Sequence, residues 1–130
     1  MVVTKQQVID VLNPDEPNYP QAAKLGPDAL PHLDTLVKAA DPLLASKATY
    51  LASLIQGEQS IDVLKAAAQS NHPEVRVAAA AGARNLASAA AGARNLRRDQ
   101  LSDLLSSLNN DEDAGVRKEA TKSLKSIRGT

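Results

Sequence analysis

Apolar positions in this chain recur with a helical spacing, and the spacing itself repeats. Three segments superimpose: LLASKATYLASLI (43–55), EVRVAAAAGARNL (74–86) and GVRKEATKSLKSI (115–127). Their alignment puts Leu44, Val75 and Val116 in one column, and Ala48, Ala79 and Ala120 in the next. Ala52, Ala83 and Leu124 follow, then Ile55, Leu86 and Ile127. Within each segment these positions fall at i, i+4, i+8 and i+11, which is one face of an α-helix. Each segment therefore predicts the second helix of a two-helix unit, with an apolar stripe turned inward.

The first helices follow from the same pattern. Leu30, Leu33 and Leu36 align with Ile61, Leu64 and Ala67, 31 residues further on. In the third unit Leu101, Leu104, Leu105 and Leu108 stand at i, i+3, i+4 and i+7, the plainest amphipathic stripe in the chain. Breakers separate the helices: Asp41-Pro42 and His72-Pro73 set proline at or near a first helical position, where its missing N–H costs nothing. Gly57 suits a helix stop, and Asn109–Asp113 is a polar turn. Turns are expected near 40–42, 56–60, 70–73 and 109–114. The expected core comprises Leu33, Leu36, Leu44, Ala48, Leu51, Ile55, Leu64, Val75, Ala79, Leu104, Leu105, Leu108, Val116, Ala120, Leu124 and Ile127.

The period breaks once. Leu44 to Val75 is 31 residues, whereas Val75 to Val116 is 41. The ten extra residues are visible, because AAAGARNL at 79–86 returns at 89–96. This reads as a tandem duplication inside a regular array. If the duplicated helix simply runs on, ten residues add about 1000° of turn and about 15 Å of length. The expectation is continuous or nearly continuous helix across 79–96. The third unit would then be carried off the stack, and its leucine face would seek another chain in a swapped or self-associated dimer. The competing outcome is a slip, in which the second copy docks where the first belongs.

A helical pair whose turn carries Pro or Asp, followed by V-R-x-x-A, resembles a HEAT repeat, and most of all the short bacterial HEAT-like repeats found also in phycobilisome lyase subunits. Val75, Arg76 and Ala79 carry the motif in unit two, and Val116, Arg117 and Ala120 carry it in unit three. Unit one departs from it, with Leu44 and Ala45 in place of Val and Arg. The resemblance covers roughly residues 28–127. It implies a single all-α domain, a right-handed α-solenoid of helical hairpins, with units near 28–56, 59–86 and 98–127. Residues 4–25 read as a degenerate first unit. It also implies a scaffold that binds other proteins without catalysis of its own, with the second helices lining the concave face. A subunit of a bilin-attachment enzyme is the alternative. The resemblance further implies that Arg76 and Arg117 bond turn acids or carbonyls of neighbouring units, a structural role.

Composition agrees with the helical reading. There is no Trp, no Phe and only two tyrosines, Tyr19 and Tyr50, while apolar content of 43% is carried mainly by Ala, Leu, Val and Ile. Ala and Leu are the best helix formers, and small side chains let helices approach closely. Fifteen basic residues balance fifteen acidic ones, which argues against bulk attraction to nucleic acid or an anionic membrane. Without cysteine there is no disulfide, thiol nucleophile or Cys-based metal site. The opening MVVTKQQVIDVL lacks the continuous apolar stretch of a signal peptide, so a soluble cytoplasmic protein is expected.

Chemistry-bearing patterns are sparse. His32 and His72 fall in different units without metal-ligand spacing, and His72 sits in a turn where a capping role is expected. No phosphate loop or nucleophile elbow occurs, and neither a cofactor nor a metal is expected. The binding candidates lie on the outer side of the second helices. One column reads Ser53, Arg84, Lys125 and its neighbour reads Tyr50, Ala81, Lys122. With Lys118, the last helix presents lysines at i, i+4 and i+7. Tyr50, Arg84, Lys118, Lys122 and Lys125 therefore form a candidate surface for an acidic protein partner, against the plainer reading of a solvated cap face. The partner is expected to be another protein or a second copy of the chain, not nucleic acid, since interleaved aromatics for base stacking are absent. The second helix of unit two, VRVAAAAGA, is apolar almost all round, which leaves two readings open: the duplicated segment or another chain covers it, or alanine is simply tolerated at the surface.

Overall fold

The computed structural model describes residues 2–39, 41–55, 57, 59–89 and 95–128. The described residues form helices and no strand. Helices α1 (Lys5–Leu12) and α2 (Tyr19–Ala22) lead into two 3-10 turns, Ala23–Leu25 and Pro27–Ala29. Three longer pairs follow: α3 (Leu30–Val37) with α4 (Pro42–Leu54), α5 (Ser60–Ala68) with α6 (Pro73–Ala89), and α7 (Asn95–Leu108) with α8 (Ala114–Arg128).

Side-chain chemistry fixes the helix starts. Thr4 accepts from the Gln7 amide at 3.1 Å, while the Gln7 side chain accepts from the Thr4 amide at 2.8 Å, a reciprocal capping box. Asp41 accepts from the amides of Leu43 and Leu44 ahead of Pro42. Asp113 does the same for Val116 at 3.0 Å. Each satisfies amides that have no partner inside the helix.

The pairs lie side by side in two layers. Helix α6 packs between α4 and α8 in one layer, and α5 packs between α3 and α7 in the other. Within each pair the two helices also touch, and α1 and α2 contact α3 and α4 at one end. Between the layers runs one apolar core. Leu33, Leu51, Leu64, Leu86, Leu101, Leu105, Val75 and Val116 are all fully enclosed. Burying each such side chain contributes roughly 1.5–3 kcal/mol. Of the expected core, Leu44 and Leu104 are only half-buried, because they sit at the margin of their stripes and pack against the cluster from outside.

The duplication does less than the sequence implies. Residues 90–94, in the middle of the stretch expected to be one helix, lie outside the described residues. Helix α6 ends at Ala89 and α7 begins at Asn95, so the duplication contributes to two helices. The first copy holds the docked position, with Ala79, Ala80, Ala83 and Leu86 fully buried, so the slip does not occur. Nor is the third pair carried off the stack: α7 packs on α5 and α6, and α8 packs on α6. Leu101, Leu105 and Leu108 are buried within the chain, which removes the bare leucine face that would have favoured a swap. The apolar girth of α6 is likewise covered by the chain's own α4, α5, α7 and α8.

Candidate protein-binding surface

The outer columns of the second-layer helices do not share one environment. In the column Ser53, Arg84, Lys125, Ser53 is buried, Arg84 half-buried and Lys125 exposed. The trend follows the packing order. The layer continues past α4 with α6 and past α6 with α8, whereas α8 is the last described helix. The expectation that Ser53 faces outward is therefore corrected: α6 closes over it, and its Oγ accepts from Asn85 Nδ2 at 3.0 Å.

Arg84 is not a free cation either. Its Nη1 lies 3.5 Å from Glu119 Oε2 on α8, with the two side chains 30% and 22% exposed. Tyr50 is half-buried, and its ring meets that of Tyr19 edge-on at 4.7 Å between centroids. Both tyrosines are thus used to join α2 to α4. Burial raises the Tyr19 hydroxyl above its usual pKa, with a further push from Tyr50. The strip that stands open is Lys118, Lys122 and Lys125 on α8, all exposed. None of the three makes an ion pair or side-chain hydrogen bond among the described residues.

The motif arginines sit at the turns. Arg76 is buried, and its Nε and Nη2 donate to both carboxylate oxygens of Asp111, at 2.8 and 3.0 Å. Its Nη1 donates to the Ser70 carbonyl at 2.9 Å. Asp111 belongs to the turn of the next pair, so this fork bolts α6 to the α7–α8 turn. The Arg76 hydrogen bonds hold the Asp111 carboxyl below its ordinary pKa against the opposing effect of burial. The same bonds raise Arg76. Arg117 is exposed, and its Nη1 donates to the carbonyls of Asp111 and Glu112 at 2.7 and 2.9 Å.

Outside the strip, chemistry-bearing groups are dispersed. His32 bonds the Val3 carbonyl at 2.8 Å and ties the N-terminal segment to α3. His72 lies 3.7 Å from Glu74, and its backbone carbonyl, not its ring, accepts from the first amides of α6. Among the described residues no group of three or more His, Asp or Glu is placed to hold a metal ion, and no helix is long and apolar enough to cross a membrane.

Sequence reasoning missed three contributors: Glu119, Asn85 and Arg98. The last donates from Nη2 to the Ile127 carbonyl at 2.8 Å and closes α7 onto the end of α8. Only Glu119 left a signal, because it lies on α8 among lysines that are themselves free. No protein-family model matches the chain, and no curated protein matches it.

Proposed function

We propose that this chain is a protein-binding or structural scaffold module built from HEAT-like repeats in a right-handed solenoid, without catalysis of its own, working in the cytoplasm. The observation that carries the reading is the contrast within the second-helix layer. Every polar residue of the outer columns that meets another helix is engaged, while Lys118, Lys122 and Lys125 stand exposed on one helix face with no partner among the described residues. Three like charges at i, i+4 and i+7 repel one another by a few tenths of a kcal/mol per pair. A partner with acidic residues relieves that repulsion and gains steered association. Arg84 reaches α8 through its pair with Glu119, whereas Tyr50 lies on α4 against Tyr19.

The ordering of pairs supports the scaffold reading too, because stacked helical pairs bury a continuous core and leave long faces for contact. The test is affinity capture from an extract with the wild-type chain beside a Lys118→Glu, Lys122→Glu, Lys125→Glu variant. Arg84 is left intact because its reversal would also break the pair with Glu119. A partner retained by the wild type and lost by the variant, with helical content and melting temperature unchanged, supports this surface. Equal capture by both chains removes it.

A further inference from the structure

The seams between neighbouring pairs follow a register that can be read residue by residue. At the α6–α8 seam the fourth residue of one second-layer helix, Arg76, bonds the residue three positions ahead of the next, Asp111, and the same counting can be carried to the other seams. The fourth residues of α2, α4, α6 and α8 are Ala22, Ala45, Arg76 and Arg117. The residues three ahead of the same helices are Glu16, Ala39, Ser70 and Asp111. Counted seam by seam, Ala22 corresponds to Ala39 and Ala45 to Ser70, as Arg76 does to Asp111. Small residues match small residues, and the one internal arginine matches the one internal acid. Among the described helices two members of this counting have no counterpart: Arg117 and Glu16.

Their geometry agrees with the register. Arg117 Nη1 donates to the carbonyl six residues back, Asp111 O, just as Arg76 Nη1 donates to Ser70 O six residues back. In Arg76 the remaining donors, Nε and Nη2, clasp the carboxylate of the next turn. In Arg117 those same two donors have no bond among the described residues. At the other end Asp15 and Glu16 are exposed in the α1–α2 turn, which Lys47 holds over α4 by donating from Nζ to the Pro14 carbonyl at 2.9 Å. A planar guanidinium with two free parallel donors is matched to a carboxylate.

We infer that the Arg117 end of one chain receives the Asp15–Glu16 turn of a second copy, head to tail, with Glu16 taking toward Arg117 the place that Asp111 takes toward Arg76. Charge complementarity favours this occupant: Arg117, Lys118, Lys122 and Lys125 crowd the receiving end, and Asp10, Asp15 and Glu16 stand exposed on the incoming one. Such a contact uses two different surfaces, so it builds rings or open rows rather than stopping at a two-fold dimer. The inference goes beyond the scaffold reading and needs no partner other than the chain, so a failed capture experiment leaves it standing.

Sedimentation of the whole chain over a range of concentrations, at low and high ionic strength, provides the test. At low ionic strength the average mass should climb past that of a dimer, and high salt should reverse the climb. Arg117→Glu and Glu16→Arg should each lower the association constant about tenfold or more, since each sets like charges face to face. Mixing the two single variants should restore association, because Glu16 of one then meets Arg117 of the other, and the reversed pair forms at the next contact. A wild type that stays monomeric at low ionic strength overturns the inference. So does association that ignores both reversals, or a mixture that regains nothing.

Discussion

The two inner seams of the second-helix layer occupy equivalent places and are closed by different physics. Between α4 and α6 the contact is small and neutral. A Cβ built on Gly82 would stand 2.9 Å from Ser53 Cβ and 3.0 Å from Leu64 Cδ2, so the missing side chain is what lets the helices meet. Between α6 and α8 the contact is charged, with the Arg76–Asp111 fork at the turns and Arg84–Glu119 further along the helices. A close apolar approach gains dispersion and water exclusion and is indifferent to pH and salt. A seam held by charge answers to both. One array thus contains a permanent joint and an adjustable one.

The comparison breaks most sharply at Gly82. Gly82→Val puts two methyl groups where there is no room for one, against a Ser53 Cβ that cannot retreat without its backbone. A cost of about 2–3 kcal/mol is expected, toward the upper end for overpacking, despite the better helix propensity of valine over glycine. Urea denaturation at low and high salt measures it. Equal loss at both ionic strengths assigns the α4–α6 seam to packing, and a loss under half a kcal/mol would show that the helices can slide apart freely.

Gly82 also marks where the sequence was and was not legible. The helix pairs, their turns and the buried stripes follow from residues such as Leu33, Val75 and Leu105, because helical period and burial are coupled locally. Gly82 reads from sequence as a helix weakness of about 1 kcal/mol relative to Ala, and its purpose appears only once Ser53 is seen opposite it. The outer column failed for the same reason. Ser53, Arg84 and Lys125 are equivalent by spacing, yet their exposure depends on whether another helix follows, which no local pattern encodes. The duplication misled through its identity: rotation and rise treat its two copies alike, whereas packing against α4 and α5 gives the first copy a role of its own. The lysine strip was legible as a strip, because its i, i+4, i+7 spacing lies within one helix, α8, and needs no second element to bring it together.

The next largest effect belongs to the fork. Asp111→Asn keeps the shape and removes the charge that Arg76 grips, leaving a buried guanidinium poorly matched. A loss of about 1–2 kcal/mol at neutral pH is expected. The pH dependence gives the sign independently. The folded chain holds the Asp111 proton more weakly than the unfolded chain, since Arg76 depresses its pKa. Its stabilisation is therefore complete above about pH 4, the ordinary carboxylate value, and drains as the pH falls through the depressed folded value. Arg76 is shifted upward, so its share is complete at all pH values below the ordinary arginine range and is lost only in strong alkali. Wild type and Asp111→Asn should thus converge in stability on acidification. Denaturation midpoints that stay parallel down to low pH would assign the loss to some cause other than the ion pair.

The smallest effect tests whether the adjustable seam extends beyond the turns. Arg84 and Glu119 lie 3.5 Å apart at 30% and 22% side-chain exposure, so water screens them more than it screens the fork. Partly exposed pairs of this kind are worth roughly 0.2–1 kcal/mol once the entropy of holding two long side chains is charged against them. A double-mutant cycle isolates the term: Arg84→Ala, Glu119→Ala and the double variant, each melted at low and high salt. A coupling of a few tenths of a kcal/mol that fades with salt places Arg84 in the seam and explains why it is half-buried while Lys125 in the same column is exposed. Zero coupling at low salt would leave the fork as the whole of the charged joint. Arg84 would then act as a half-buried long side chain whose apolar stem excludes water, and its truncation would cost stability with or without Glu119.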